Sequence, residues 1–238
     1  MPDKRAHRGP HPEDATLFAP AAVPRIQAAV EELAWLLSRG YASQSALKLV
    51  GDRHALCARQ RTAVARMSCS DHDLAIRQAR RIASSAAAGR RLWLDGYNVL
   101  TTVEAALGGG VILAARDGTY RDMASMHGSY RKVAETRPAL ELLGRTLTQL
   151  GIVDAHWLLD RPVSNSGRLR QIMCQVAEDH GWRWAIELVG DPDALLATTD
   201  EVVATADSGI LDRCRGWFNL AREAIDLHAP GVWIVGWR

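Results

Sequence analysis

Residues 91–100, RLWLDGYNVL, constrain this chain more than any other stretch. Leu92, Trp93 and Leu94 form a short apolar run that predicts a buried strand, and Gly96 ends it at once. Asp95 then stands at the carboxyl end of a strand, with Asn98 in the turn that follows. In open α/β sheets that edge is where ligands bind. Apolar runs return at 156–159, 184–189, 202–206 and 232–235, and the first three of these lead into Asp160, Asp191 and Asp207. The repetition predicts several carboxylates delivered to one acidic pocket.

A chain of 238 residues, 47% of them apolar, can bury one large core or two modest ones. No apolar run reaches membrane-spanning length and no hydrophobic leader follows Met1, so a cytoplasmic location is expected. Cys57, Cys69, Cys174 and Cys214 are too scattered for a paired-thiolate zinc site, and a chain this long needs no disulfide framework. They read as small buried apolar residues. Charge is divided unevenly: residues 1–90 carry a net +6 and residues 91–238 a net −4. A basic module joined to an acidic one suits a protein in which one part attracts a polyanion and the other holds cations. An ordinary solvated surface is the alternative.

Residues 1–22, rich in proline, read as a loose tail, and residues 23–88 as a basic all-helical domain. Pro24 suits a first helical turn, and Ile26, Val30, Leu33 and Leu37 keep helical spacing up to Gly40. Shorter helices are expected between Ser43 and Gly51, over 53–66 and over 71–88. Arg53, Arg59, Arg61 and Arg66 lie on the outer face of the third, where they suit sequence-independent phosphate contacts. Plain core and surface, with a scaffold role, is the rival reading. Few aromatics are available there to stack on bases.

The α/β domain is expected over 91–238. Gly108, Gly109 and Gly110 lack the lysine of a nucleotide P-loop and the spacing of a dinucleotide fingerprint, so they read as a turn before a strand at 111–115. The arginine-rich passage 116–132 follows as a polar loop, which puts Asp117 in reach of the pocket. It also offers Arg116, Tyr120, Arg121, His127, Tyr130, Arg131 and Lys132 to phosphates. An amphipathic helix is expected over 136–150. After Asp160, the residues Arg161, Ser164, Asn165, Ser166 and Arg168 mark a helix start suited to an anion. Nothing equips Ser164 or Ser166 as a hydrolytic nucleophile.

Carboxylates crowded at strand ends repel one another unless a cation compensates them. Oxygen donors suit Mg2+ or Mn2+ rather than zinc, and such an ion can activate water and neutralise charge on a phosphodiester. The competing role for each aspartate is to cap the helix after its strand. LDGYNVL, LLDRPVSNSG and VVATADSGILD resemble the strand ends of the NYN branch of PIN-like nucleases. The resemblance implies a three-layer α/β/α fold with a mostly parallel sheet, a divalent metal and action on RNA. It matches Asp95, Asp160 and Asp207 to metal-binding acids and places Asn98 and Ser208 beside them, while Asp117, from its place after a strand and not from the family pattern, is a further candidate ligand. Residues 36–66 resemble the amino-terminal helical region of the uncharacterised DUF434 family. The expectation is a Mg2+- or Mn2+-dependent nuclease. A nucleic-acid-binding adaptor and a small-molecule nucleotide phosphotransfer enzyme are the alternatives.

Overall fold

The computed structural model describes residues 6–124 and 130–237. The first of these are not a loose tail. His7 and Arg8 reach Glu135 and Glu104, a single turn α1 (Asp14–Leu17) follows, and Phe18 is buried. Next come α2 (Val23–Leu37), α3 (Ser43–Arg53) and α4 (Ala58–Met67). Pro24 sits in the first turn of α2, and Ile26, Ala29, Val30 and Leu33 turn one face inward. The helix expected over 71–88 is instead two: α5 (Asp71–Arg80), capped by Ser70, and α6 (Ser84–Ala87). Between them Arg81 bridges Trp217 in parallel, and the Ile82 N–H donates to the Trp217 carbonyl at 2.8 Å. That extended backbone replaces a helical turn.

The larger sheet starts with β1 (Arg91–Asp95), which runs straight into α7 (Gly96–Leu107). After the second sheet's first two strands come α8 (Thr136–Gln149), β4 (Asp154–Asp160), α9 (Ser166–His180), β5 (Trp184–Val189), α10 (Pro192–Thr198), β6 (Val202–Ala204), α11 (Ser208–Leu211) and β7 (Trp217–Phe218). The order β5-β4-β1-β6-β7 is parallel throughout. Side chains alternate across it, as strand geometry requires. Leu92, Leu94, Trp157, Leu159 and Ala204 pack on one face with α7, α8, α9 and the later α12 (Leu220–His228). Leu158, Val203 and Trp217 pack on the other with Leu196 of α10 and Ile210 of α11. Helices thus flank a parallel sheet on both sides.

The strand expected at 111–115 belongs elsewhere. β2 (Ile112–Ala114) pairs antiparallel with β3 (Tyr120–Asp122) and parallel with β8 (Ile234–Gly236), making a separate three-stranded sheet. The first part of the passage expected to be a polar loop, residues 116–122, is therefore the turn and second arm of a hairpin, closed at Asp117–Gly118, where Gly118 takes φ 83°. Val111, Leu113 and Val235 share one core with Val30, Leu33, Val64 and Met67 of the helical region. Of the cysteines, Cys69 and Cys214 are buried as expected, whereas Cys57 and Cys174 are exposed. Among the described residues no helix is long and apolar enough to cross a membrane.

Gly96 sets how closely α7 meets β4. A Cβ there would lie 2.7 Å from the Leu158 carbonyl oxygen and 2.6 Å from Leu159 Cδ2. A backbone oxygen cannot swing aside, so Gly96→Ala is expected to destabilise the fold by roughly 1–3 kcal/mol despite better helix propensity. Thermal unfolding measures this. An unchanged Tm would mean that α7 can slide without cost.

Candidate functional site

Parallel register brings the ends of β1, β4 and β6 to one edge of the large sheet. Asp95 aligns with Leu158, two residues before Asp160, and Leu94 aligns with Ala204, three before Asp207. A cleft of about 670 Å³ opens there, with Asp95, Asp160, Asp193 and Asp207 along it. α4 contributes Arg61, Thr62 and Arg66 to its lining. The helical region is therefore part of the site.

Two side chains couple the strand ends. Asn98 Oδ1 accepts from the Ala206 N–H at 2.8 Å. Thr205 donates its hydroxyl to Asp95 Oδ2 at 2.8 Å and accepts from the Asp207 N–H at 3.0 Å. Asn98 thus spends its oxygen on the fold. Thr205 went unnoticed in the sequence, although a hydroxyl just after the apolar run 202–204 was the available signal. Three aspartates also cap helices: Asp95 accepts from the Asn98 N–H at a long 3.4 Å, Asp191 from Ala194 at 2.9 Å, and Asp207 Oδ1 from Gly209 at 2.8 Å. Capping uses one oxygen of Asp207 and holds Asp95 only weakly.

The electrostatics of the cleft are acidic and poorly compensated. Burial pushes Asp95 up to about 7, with Asp193 and Asp207 adding to the shift against the opposing hydrogen bonds of Thr205 and Asn98. Asp160 is raised by burial and then by Asp193 and Asp191. Asp193 is raised by burial, Asp207 and Asp191, with Arg213 alone opposing. Burial and Asp160 hold the Tyr97 phenol up at about 12. Asp193 ends no apolar run, yet Pro192 in the first turn of α10 carries it to the cleft.

Asp117 does not join this group. It is buried in the hairpin, where Oδ2 accepts from Arg77 at 2.6 Å and Arg121 at 2.7 Å, and Oδ1 accepts from the Thr119 hydroxyl at 2.7 Å. Burial pushes its carboxyl up, but Arg121, Thr119 and Arg77 more than reverse that and hold it at about 2. A carboxylate so fully engaged has no oxygen to offer a metal. Asp122 does line the cleft, accepting there from Thr102 at 3.0 Å and from the Ala124 N–H at 2.6 Å. Among the described residues no set of three or more Asp, Glu, His or Cys side chains lies close enough to hold a metal ion as it stands.

Most of the arginines proposed for phosphate contacts are committed internally. Arg59 grips buried Asp14, Arg61 pairs with Asp52 at 2.7 Å, and Arg53 pairs with Glu32 at 3.3 Å. Arg66 donates to the carbonyls of Asp122 and Ala124. Arg116 pairs with Asp71, and Arg121 spans Asp117, the Ala206 carbonyl at 2.8 Å and Ser208 at 3.4 Å. Arg161 donates to the Leu188 carbonyl at 2.8 Å. Arg131, Lys132 and Arg168 instead line a second pocket of about 230 Å³ with Tyr130 and Asn165. His127 lies outside the described residues.

A helical region leading into an α/β unit with a mostly parallel, helix-flanked sheet and an acidic cleft at its carboxyl edge defines the class of protein. The chain belongs to the family described as a domain of unknown function, DUF5616, whose model matches residues 84–223. Residues 25–80 match the model of a second family described as a protein of unknown function, DUF434. An uncharacterized protein of Methanocaldococcus jannaschii, MJ0935, is 29% identical over 203 residues, covering 84% of this chain and 97% of that protein. No solved structure matches the chain.

Proposed function

We propose that this chain is a metal-dependent nuclease, or a related phosphoesterase, acting on RNA at the acidic cleft. The observation that carries the reading is Asp95: a half-buried carboxylate at a strand end, raised to about 7 among other acids, with no basic partner among the described residues. Holding it ionised at neutral pH without a cation is unfavourable, and a divalent cation would relieve that cost. The donor set fits such an ion in kind, since it is all oxygen. It also fits in number: Mg2+ keeps several waters and is commonly held by one or two carboxylates, so a closed three-acid cage is unnecessary.

One or two of Asp95, Asp160 and Asp207 would hold the ion directly, and the remaining acid, with Asp193 beside it, would hold the ion's waters. When bound, it would supply an activated water and neutralise charge on the phosphodiester. Asn98 keeps its amide N–H groups, and Ser208, whose Oγ accepts from Arg121 at a long 3.4 Å, keeps its hydroxyl proton, for orienting water or a phosphate oxygen. Thr205 holds the Asp95 carboxylate in place. The fold supports a PIN-like reading through its parallel sheet, flanking helices and acids at the strand ends, and RNA as substrate follows from the NYN resemblance.

A nucleic-acid-binding adaptor is the second reading, favoured by the absence of a preassembled three-ligand cluster among the described residues. One experiment separates them. Purified protein is incubated with single- and double-stranded RNA and DNA, with and without Mn2+. Mn2+-dependent cleavage of RNA is the expected result. RNA bound but left intact in every metal would leave the adaptor in front.

A further inference from the structure

The small basic pocket adjoins the acidic cleft. Tyr97, on the cleft, packs against Tyr130, on the pocket, with ring centroids 5.4 Å apart. Two anchored segments build the pocket. The Tyr130 N–H donates to the Ser164 carbonyl at 3.1 Å, and Asn165 Nδ2 donates to the Tyr130 carbonyl at 2.9 Å. From behind, the buried Tyr130 hydroxyl binds Glu104 at 2.5 Å and Thr136 at 2.9 Å. The Arg131 carbonyl accepts from Arg8 at 3.3 Å.

Around this fixed frame stand three exposed cations, Arg131, Lys132 and Arg168. Among the described residues none of them forms an ion pair, in contrast to Arg53, Arg59, Arg61 and Arg116. Three positive groups converging on about 230 Å³ repel one another, and the matching ligand is an anion with several acceptor oxygens. An open groove would let a duplex backbone pass, but this pocket suits one phosphate group.

We infer that the pocket seats a second phosphate of the strand whose reacting phosphate lies in the acidic cleft, so that the substrate class is an oligonucleotide rather than a mononucleotide. This rests on the phosphodiester reading of the cleft. A mononucleotide would occupy one of the two positions, whereas a single strand reaching from the cleft to the pocket, which the buried Tyr97–Tyr130 contact holds side by side, would occupy both. The extra contact supplies affinity that depends on chain length and on salt, and not on base sequence.

The test is binding in calcium, which takes oxygen ligands, with a short single-stranded RNA carrying cleavage-resistant linkages and, separately, with a nucleoside monophosphate. The wild type is compared with a protein carrying Arg131→Ser, Lys132→Ser and Arg168→Ser, all at exposed positions that should leave folding intact. The oligonucleotide is expected to weaken roughly tenfold or more. Its log–log salt slope should fall by roughly 0.7 for each lost contact. The monophosphate should bind both proteins equally. An unchanged slope in a variant whose wild type binds RNA would overturn the second seat while leaving the nuclease reading intact. Equal weakening of both ligands would make the pocket a mononucleotide site, against the inference. A wild type that binds neither ligand defeats the phosphodiester reading itself.

Discussion

Asp95→Asn is expected to fold normally and to lose turnover by a factor of at least ~100. The substitution keeps shape and removes one charge from the group that the cleft surrounds with acids. If the carboxylate acts only as a helix cap, turnover should survive, because asparagine caps as well as aspartate. The stability change has the opposite sign to an ordinary loss of contact. The folded-state pKa of Asp95 lies above its usual 3.8, so the fold favours the proton. That stabilisation is complete below the ordinary value and disappears as pH rises through about 7. In metal-free protein at alkaline pH, Asp95→Asn should therefore be more stable than the wild type. Discounting for partial exposure, the gain is on the order of 1–2 kcal/mol, or roughly 2–8 °C in Tm. The gain should shrink toward pH 4. Wild-type turnover in a metal-supplemented variant free of contaminating nuclease would end the catalytic reading of this residue.

The largest loss of stability is expected at Asp117. Asp117→Ala leaves Arg77 and Arg121 facing an empty, buried position, although Arg77 keeps Asp212 at 2.7 Å and Arg121 keeps its carbonyl partners. Breaking a buried pair by removing one partner costs about 3–5 kcal/mol, a fall in Tm of roughly 6–20 °C. Here the carboxyl is depressed to about 2. Its contribution is complete above the ordinary 3.8 and is lost as pH falls through 2, so the wild type should become acid-labile in that window and the variant should lack the corresponding transition. A variant as stable as the wild type at neutral pH would mean that the two arginines find other partners at little cost. The cleft aspartates Asp160 and Asp207 should stay in place, which a crystal structure of the variant can check.

Asp117 also marks where legibility in sequence ended. β1, β4, β5 and β6 were visible because buried parallel strands read as apolar runs bounded by turns. Asp95, Asp160 and Asp207 were legible for the same reason, since each follows such a run. β3 was hidden: Arg121 and Asp122 are charged yet buried, and hydropathy cannot separate a satisfied internal ion network from a wet loop. The Asp117–Gly118 pair was the overlooked signal, a dipeptide that closes hairpins. β7 is only Trp217–Phe218, too short to show a period. Arg59 and Arg61 looked free on a helix face, because the acids that engage them, Asp14 and Asp52, precede that helix. Charge count reports how many cations a segment carries and says nothing about how many are already spent.

The core shared by the helices and the three-stranded sheet has a consequence for how the protein is made. Val30 and Val235 lie in the same apolar cluster, and Gln27 Nε2 donates to the Gly236 carbonyl at 2.8 Å. During synthesis from the amino terminus, α2 and α4 emerge with an apolar face whose partners, β2 and then β8, arrive only much later. Closing so long a loop is slow. The waiting face is then a natural client for a holding chaperone, and a ribosome stalled before residue 234 would release a chain with that cluster unfinished. The segment matched by the DUF434 model thus completes its core only with β2 and with β8, which lies beyond both matched segments, and a single cooperative unfolding transition is the expected result.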